Sequence, residues 1–279
     1  MFWYLMCLLP IAVVVWLLYE WFEHRFVQCV STVVECRKIP INQEIKVCLI
    51  SDLHNNRKKT DELMQNIRNF APDMVLLAGD FVNKHKTDNS NSLKFLTELS
   101  CLQIPVFYSQ GNHELSMAEN SPEAWQRFLS ELPTGIRFLD NEAILFAPEG
   151  KICISGVSLP PEFYKKGSLY KNEEHLPQMN IPENEFHIMM AHNPEYADLY
   201  TKYKADFIVA GHLHGGLLRL PMIGGIISPR LRLIKGCDAG LVKLPNESFL
   251  FVSRGIGSHT IPLRFFNRAE LNFLVIKGK

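Results

Sequence analysis

Apolar residues recur along the chain in two patterns that predict alternating strands and helices. Short apolar runs rich in β-branched residues, such as "EIKVCLIS" and "DMVLLAG", are typical of buried strands. The stretch "TDELMQNIRNF" instead places its apolar residues at helical spacing, with Thr60 as the expected N-cap. Two more helices are predicted at "NSLKFLTELSCL" and at "SPEAWQRFLSEL", where Ser121 precedes Pro122 at the first helical position. The strand "IPVFYSQ" lies between these two helices.

The second half of the chain begins with a run of short strands. "IRFLD", "AILFA" and "KICISGVSL" predict strands joined by turns, and "EFHIMMAH" and "ADFIVAGH" predict two more strands around a helix at "PEYADLYTKY". The tail, "SFLFVSRG" and "ELNFLVIK", is again strand-like. Strand–helix alternation on both sides of short strands predicts two sheets with helices outside them. We interpret residues 45–279 as one domain.

The first 19 residues contain no charged residue, and about 20 apolar residues suffice to span a bilayer as a helix. Aromatic residues lie near both ends of this run, and Pro10 is tolerated inside a membrane helix. We therefore predict a transmembrane anchor over residues 1–22 and a juxtamembrane connector over residues 23–44. The alternatives are a cleaved signal peptide, which would need preceding basic residues and a small-residue cleavage site, and a buried core helix.

The charge and the cysteine content indicate the side of the membrane, the class of partner and the state of the thiols. Arg25, Arg37 and Lys38 follow the apolar run, and the positive-inside rule then places the downstream domain on the cytoplasmic side. The net charge is zero, which argues against nucleic acid as a partner because phosphate-binding proteins usually carry a basic excess. The chain has 7 cysteines and no CxxC pair, which favours free thiols over a disulfide framework.

Short polar tracts follow the predicted buried strands and carry the candidate chemistry. In chain order they are "SDLH", "GDFVN", "GNHE", "AHNP" and "GHLHGG". Ligand sites in open sheets lie beyond the carboxyl ends of strands, so these tracts are expected to converge. Asp, Asn and His without thiolate favour two divalent ions such as Mn, Fe, Zn or Co, which together can activate water and hold a phosphoryl oxygen.

These five tracts resemble those of the calcineurin-like metallophosphoesterases, and in particular a subgroup of small, often membrane-anchored bacterial enzymes. The similarity covers residues 45–279 and includes the tail "SRGIGSHTIPLRFFNRAEL". It implies an α+β fold, a four-layer α/β/β/α sandwich. It also implies two divalent metal ions as cofactors and a phosphate ester as substrate.

The resemblance implies a role for each polar residue of the tracts. The first metal would be held by Asp52, His54 and His214, and the second by Asn112, His192 and His212. Asp80 would bridge the two ions. His113 would not be a ligand and would lie beside the scissile phosphate as a charge stabiliser or proton donor.

His212 and His214 would then be the last ligands of two neighbouring metals. In an extended segment they would point the same way, while Leu213 points into the packing. This chain departs from the subgroup at Leu213 and Leu217, where Thr and Gln are usual, and at Asn83, Asn267 and Arg268. The departures bear on the substrate pocket, because every expected metal ligand is present.

The predicted function is that of a membrane-anchored phosphoesterase in which a metal-bridging hydroxide attacks phosphorus in line. The resemblance favours a phosphodiester or pyrophosphate bond, and the anchor favours a lipid-linked substrate such as a UDP-diacylglucosamine-type precursor. The alternatives are a nuclease or cyclic-nucleotide phosphodiesterase, and a non-catalytic membrane adaptor on the same fold. The complete ligand set and His113 disfavour the adaptor.

Several residues near the predicted site keep two interpretations. Glu114 and Asn193 are either hydrogen-bonding neighbours of the ligands or structural residues, and His187 is interpreted as a packed histidine. The tract "LLRLPMIGGIISPRLRLIKG" is either an ordinary surface loop or a lipid-facing or phosphate-binding rim. The cations of this tract are Arg219, Arg230, Arg232 and Lys235. Arg254, which lies outside the tract, is a further candidate for phosphate contact.

Overall fold

The structure is a computed structural model. It describes residues 2–23, 25–57, 59–146, 152–165, 174, 176–182, 184–220, 222–228, 233–234, 237–257 and 264–279, with the side chains of residues 10–19, 21 and 22 in the first segment. The helices are α1 (Phe2–Glu23), α2 (Thr60–Phe70), α3 (Ser90–Ser100), α4 (Asn112–Asn120), α5 (Pro122–Ser130) and α6 (Ala197–Tyr200). The strands are β1 (Val27–Cys36), β2 (Glu44–Ile50), β3 (Met74–Ala78), β4 (Val106–Ser109), β5 (Ile136–Leu139), β6 (Glu142–Phe146), β7 (Ile152–Val157), β8 (Phe186–Ala191), β9 (Phe207–Ala210), β10 (Leu218–Leu220), β11 (Gly224–Ile227), β12 (Gly240–Lys243), β13 (Phe249–Val252) and β14 (Ala269–Gly278).

The strands form two six-stranded sheets and a separate hairpin. The first sheet has the order β1–β14–β2–β3–β4–β5, and β2 to β5 run parallel. The second has the order β12–β13–β9–β8–β7–β6, and β13, β9, β8 and β7 run parallel. The hairpin consists of β10 and β11. Each sheet therefore has a parallel centre, which places the carboxyl ends of its central strands at one edge.

Side chains of alternate residues pack on opposite faces of the first sheet. Cys48 and Ile50 of β2 contact the buried faces of α2, α3 and α5, whereas Val47 and Leu49 pack between the two sheets. The outer face of the second sheet packs on helical turns around α6. The result is a mixed α/β sandwich whose layers are helices, sheet, sheet and helical turns. Successive side chains of a strand point to opposite faces, so apolar residues on both faces are buried only when each sheet is covered on both sides.

The amino-terminal segment differs in part from the prediction. Residues 2–23 form the helix α1, but no helix among the described residues is long and apolar enough to cross a membrane. The predicted transmembrane anchor over residues 1–22 is therefore not confirmed.

The segment predicted as a connector contains an edge strand of the first sheet. β1 pairs with β14 from Val27 opposite Ala269 to Cys36 opposite Gly278. Because β14 runs antiparallel to β2, both β14 and β1 begin at the edge where β2 ends. The carboxyl end of α1 therefore lies at that same edge of the sandwich.

Local sequence signals missed or misplaced some elements. Helix α4, the hairpin and β12 are not among the predicted elements, and the helix predicted at "PEYADLYTKY" is three short helical turns that include α6. Thr60 is the first residue of α2 rather than its N-cap, which is Lys59 in a left-handed conformation. Ser121 does occupy the N-cap of α5, with Pro122 following it.

Candidate metal centre

The polar tracts that follow the central strands meet at one edge of the sandwich. Asp52 and His54 follow β2, Asp80 follows β3, and Asn112 and His113 begin α4 after β4. From the second sheet, His192 follows β8, and His212 and His214 follow β9. The seven Asp and His side chains among these residues are all buried. The predicted site residues from the two sheets are thus brought together as expected.

The backbone at this edge is held in an uncommon conformation. Asp52, His54, Asp80, His212 and His214 all have positive φ angles, between 51° and 70°. A left-handed conformation at a residue other than glycine costs on the order of 1 kcal/mol and is concentrated at functional sites. The prediction that His212 and His214 lie in an extended segment is therefore wrong, because both adopt turn conformations. Leu213 between them is buried as expected.

Asp52, His54 and His214 form the first group of potential ligands. Their ligand atoms all lie within 4.8 Å of one another. The Nε2 atom of His214 is 3.2 Å from Asp52 Oδ1 and 3.1 Å from His54 Nε2. The backbone nitrogen of His212 lies 3.2 Å from each carboxylate oxygen of Asp52, which fixes that side chain. Two ring nitrogens and a carboxylate oxygen at these distances suit one divalent ion.

Asp80, His192 and His212 form the second group, again with ligand atoms within 4.8 Å of one another. The Nε2 atom of His192 is 3.2 Å from Asp80 Oδ2. The other ring nitrogen of His192, Nδ1, lies 2.7 Å from the carbonyl oxygen of Ala78 and can only donate to it. In the neutral ring the Nε2 lone pair of His192 would therefore be available to a metal, in the arrangement that metal-binding histidines usually show.

Asp80 belongs to two groups, since its carboxylate also lies close to His54 and His113. Its Oδ1 accepts a hydrogen bond from the backbone nitrogen of His113 at 2.7 Å. Its Oδ2 is 3.2 Å from His192 Nε2 and 3.9 Å from His54 Nε2. One carboxylate oxygen therefore faces ring nitrogens of both metal-ligand groups, which is the position a bridging ligand needs.

Asn112 offers a neutral oxygen to the same site. Its Oδ1 atom is buried and has no hydrogen-bond partner. A buried polar atom without a partner costs free energy, and a metal ion is one of the partners that removes the cost. The donor set of carboxylates, imidazoles and an amide oxygen therefore fits two borderline or hard divalent ions.

The electrostatics of the buried site favour added positive charge. Burial raises the pKa of Asp52 to about 7, although His192 opposes the shift. Burial alone would also raise the pKa of Asp80, but the surrounding His192, His113 and His54 hold it well below its usual value. The pKa of His192 is raised instead: burial alone would lower it, but the nearby Asp80 and Asp52 raise it to about 10. Metal ions would supply the charge that protonated histidine supplies here.

His113 lies beside the Asp80 carboxylate at the beginning of α4. Burial lowers its pKa, which favours the neutral ring. Its Nδ1 atom accepts a hydrogen bond from the backbone nitrogen of Lys84 at 3.3 Å, so a neutral ring carries its proton on Nε2. That Nε2 atom is buried, has no hydrogen-bond partner and is 3.9 Å from Asp80 Oδ2. The side chain therefore presents an N–H group toward the site.

The structure resolves the two open interpretations next to the ligands. The Glu114 carboxylate is fully buried and accepts hydrogen bonds from the backbone of the Asp80 loop, so it supports the ligands. The Asn193 side chain accepts a hydrogen bond from the backbone of Glu195 and caps a helical turn. His187 lies 2.7 Å from Ser155 Oγ, away from the metal-ligand groups, and is a packed histidine as predicted.

Arg264 is a neighbour of the site that the sequence did not single out. Its guanidinium is buried, lies 3.3 Å from Nδ1 of His214 and donates to the carbonyl oxygens of Arg254 and Gly255. Burial lowers its pKa to about 10. The tail motif that contains Arg264 was a signal for it, but the motif gave no reason to place a cation behind His214.

Comparisons with known proteins agree with this geometry. The family described as "Calcineurin-like phosphoesterase" matches residues 45–216, which is more than half of the chain. An uncharacterised metallophosphoesterase of Aquifex aeolicus is 27% identical over 94% of this chain and 96% of its own. Phosphodiesterase YaeI of Escherichia coli is 25% identical over 82% of this chain and 81% of its own.

A third relative is named for a lipid-linked substrate. UDP-2,3-diacylglucosamine pyrophosphatase LpxG of Chlamydia muridarum is 24% identical over 81% of this chain and 82% of its own. The family match and the two buried metal-ligand groups together account for the five polar tracts. The chain belongs to the calcineurin-like phosphoesterase family and is a phosphoric ester hydrolase that uses two divalent metal ions.

Proposed function

We propose that the protein is a membrane-associated phosphoesterase that cleaves a phosphodiester or pyrophosphate bond in a lipid-linked substrate. The observation that carries the proposal is the position of Asp80 Oδ2, which faces the ring nitrogens of both metal-ligand groups. That position supports two ions close enough to act on one phosphoryl group. The names of YaeI and LpxG support a diester or pyrophosphate over a monoester.

In this proposal each polar residue keeps the role that the resemblance implies. The first ion is held by Asp52, His54 and His214, and the second by Asn112, His192 and His212, with Asp80 as the shared ligand. The two ions, when bound, supply an activated water and positive charge for the phosphoryl oxygens. The hydrogen bond that His192 donates to the carbonyl oxygen of Ala78 and the backbone contacts to Asp52 hold these ligands in place before an ion arrives.

His113 acts on the substrate rather than on the metals. Its neutral ring directs the Nε2 proton into the site, where it can donate to a phosphoryl oxygen or to the departing group. Its backbone nitrogen orients Asp80 at the same time. This arrangement supports a charge-stabilising or proton-donating role, because negative charge increases on these oxygens in the transition state.

The placement of α1 supports a lipid-linked substrate, and the basic residues that follow this helix favour the cytoplasmic side of the membrane. The helix ends at the same edge of the sandwich as the metal centre, since β1 begins there. Described α1 side chains at Ile11, Val15 and Leu18 are each at least 59% exposed. An apolar helix at this edge would hold the metal centre near a lipid surface, where the phosphate groups of lipids lie.

The experiment is metal-dependent hydrolysis by the full-length protein in detergent. After chelator treatment, Mn, Fe, Zn or Co is returned, and the cleavage of an aryl phosphodiester, an aryl phosphomonoester, a cyclic nucleotide and UDP-diacylglucosamine is compared. We expect restored cleavage of the diester and pyrophosphate substrates. The rate should fall by about 100-fold or more in His113→Ala and Asp80→Asn. The matched control is Asp88→Asn, the same substitution at an exposed residue of the segment between β3 and α3 that also contains Asp80.

The outcomes separate the alternatives. Cleavage of the cyclic nucleotide alone would favour the nucleotide phosphodiesterase. Folded, metal-loaded protein that cleaves none of these substrates, with His113→Ala impairing only the binding of another protein, would favour the non-catalytic adaptor. Either result contradicts the proposal.

A further inference from the structure

The loop between β3 and α3 places a lysine beside His113, the proposed proton donor. The backbone nitrogen of Lys84 donates a hydrogen bond to Nδ1 of His113 at 3.3 Å. Asn83 closes the loop at this contact. Its side-chain oxygen accepts a hydrogen bond from the backbone nitrogen of His85 at 3.0 Å, and its backbone nitrogen donates to Asn89 Oδ1 at 2.7 Å. The loop therefore fixes the position of Lys84 next to His113.

The side chain of Lys84 is half-buried and has no counter-ion. Among the described residues its ammonium group forms neither an ion pair nor a hydrogen bond. Between residues 81 and 89 the sequence has one acidic residue, Asp88. Asp88 is exposed, accepts a hydrogen bond from the backbone nitrogen of Ser90 at 2.8 Å and lies near Lys86. The positive charge of Lys84 is therefore available to a ligand.

The buried carboxylates near His113 are occupied by other groups. Glu114 accepts hydrogen bonds from backbone nitrogens at both of its oxygens, and Asp80 faces the ring nitrogens of the histidines. Burial is the main cause of the lowered pKa of His113, Asp80 and Glu114 oppose the shift, and the nearby charge of Lys84 adds to it. The ammonium group of Lys84 thus lies close enough to His113 to act on its ring.

The arginines that the sequence suggested for phosphate contact already have partners. Arg219 of the β10–β11 hairpin forms an ion pair with Asp238, and Arg254 forms one with Glu270. The other cations of that tract lie outside the described residues: Arg230, Arg232 and Lys235. Lys84 differs from Arg219 and Arg254 because no carboxylate of the described protein pairs with it.

The ring of His113 separates Lys84 from the centre of the site. Its Nε2 atom lies 3.9 Å from Asp80 Oδ2, whereas the backbone of Lys84 contacts the other ring nitrogen. In the proposed function the phosphoryl group that reacts lies on the Nε2 side of this ring, between the two ions. A group one bridging oxygen farther along the substrate would lie at the outer side of the ring, where Lys84 is held.

We propose that Lys84 is a specificity-determining residue that binds a second phosphoryl group, adjacent to the one that is cleaved. A lysine ammonium is a compact donor that suits the oxygens of a phosphate. A pyrophosphate carries an anionic phosphoryl group at this place, and a simple phosphodiester does not. The inference rests on the proposed function and narrows its substrate class from phosphodiesters to pyrophosphates.

The test compares two substrates that differ by one phosphoryl group, a diaryl phosphodiester and the corresponding diaryl pyrophosphate. Full-length, metal-loaded protein in detergent hydrolyses each at pH 8, where His113 is neutral because its pKa is lowered by burial. Lys84→Gln removes the charge and Lys84→Arg keeps it. The matched control is Lys86→Gln, the same loss of charge at an exposed residue two positions along the loop.

We expect Lys84→Gln to raise KM for the pyrophosphate by about 10-fold or more. Its kcat should stay unchanged, because the second phosphoryl group is bound equally in the ground state and the transition state. KM and kcat for the diester, and the metal content, should stay at the values of the wild type. Lys84→Arg should restore most of the affinity for the pyrophosphate, and Lys86→Gln should behave as the wild type with both substrates.

A binding measurement separates the failure of this inference from the failure of the proposed function. Uridine diphosphate and uridine monophosphate, which also differ by one phosphoryl group, are titrated into metal-loaded wild type and Lys84→Gln by calorimetry. We expect the variant to lose about 10-fold or more in affinity for the diphosphate and little for the monophosphate. This result would support the second phosphoryl site even if neither aryl substrate were cleaved, which would contradict the proposed function alone.

Three results would overturn the inference. An equal loss of activity toward the diester and the pyrophosphate in Lys84→Gln would show that Lys84 contacts the reacting phosphoryl group or supports the fold. An unchanged affinity of this variant for uridine diphosphate would show that the ammonium group contacts no second phosphate. Cleavage of the diester without cleavage of the pyrophosphate would contradict the narrower substrate class.

Discussion

The Oε2 atom of Glu114 accepts a hydrogen bond from the backbone nitrogen of Asp80 at 2.9 Å. The same oxygen accepts from Gly111 at 2.8 Å, and Oε1 accepts from Phe81, Val82 and the Tyr108 hydroxyl. One buried carboxylate therefore joins the loop after β3 to the beginning of α4. These two segments carry Asp80, the proposed shared ligand, and the pair Asn112 and His113, so their relative position depends on Glu114.

We predict that Glu114→Gln lowers metal content and turnover by about 10- to 100-fold, because an amide nitrogen would face backbone N–H groups that now donate to a carboxylate. Tyr108→Phe removes only one of the five hydrogen bonds and should cost about 2 kcal/mol of stability, because the acceptor is a carboxylate, with most activity kept. Metal analysis and aryl diester hydrolysis would check both. Full metal occupancy in Glu114→Gln would contradict the positioning role.

Gly211 approaches the Asp52 side chain so closely that a methyl group there would overlap the carboxylate. We predict that Gly211→Ala displaces Asp52 and reduces bound metal from two ions toward one, while the sheet structure is retained. Gly135→Ala is the matched control, since its added methyl group would meet only Ser100 at 3.5 Å. Metal analysis and circular dichroism would test the pair. Equal metal content in the two variants would refute the steric argument.

Removal of the metals should destabilise the fold as well as stop hydrolysis. Asp52 and Asp80 are almost completely buried, and without ions their charge is balanced by histidines and, for Asp52, by the buried Arg264. We expect chelation to lower the melting temperature reversibly, because ions that bind the folded state stabilise it by mass action. In Asp80→Asn the chelator-dependent shift should be smaller. Calorimetry with and without chelator measures the difference, and an unchanged melting temperature would contradict the prediction.

We predict that the buried His187 lowers the stability of the fold in mild acid, independently of the metals. Burial lowers its pKa from 6.5 to about 4, so the unfolded chain takes up this proton before the folded chain does. Its contribution to stability is complete above about pH 6.5 and is lost as the pH falls toward 4. Between pH 7 and pH 5 the loss is about 2 kcal/mol.

His187→Gln keeps a polar partner for Ser155 and removes the titration. Urea unfolding of the wild type and this variant at the two pH values isolates the contribution of His187, since the residues of the candidate metal centre titrate in both proteins. The wild type should lose about 2 kcal/mol more than the variant between pH 7 and pH 5. Parallel losses would show that His187 does not titrate as its burial implies.

Elements with a strong local pattern were predictable. The run before Asp52 is apolar and β-branched, and it forms β2; the helical spacing after Thr60 forms α2. Helix α4 was missed because its N-cap is Gly111, which has no side-chain acceptor, although the Glu114 side chain that bonds back to Gly111 is a recognisable signal. Strand β1 was assigned to a connector because its partner, β14, lies at the other end of the chain.

The sequence by itself determined the alternation of strands and helices, the order of the five polar tracts and the family, because periodicity and short motifs are local properties. Only the tertiary structure decided which ligand atoms face each other. The contact of Asp80 with His192 joins two sheets, and the contact of Arg264 with His214 joins residues 50 positions apart. Such contacts depend on strand order and on left-handed turns, which hydrophobic periodicity does not encode.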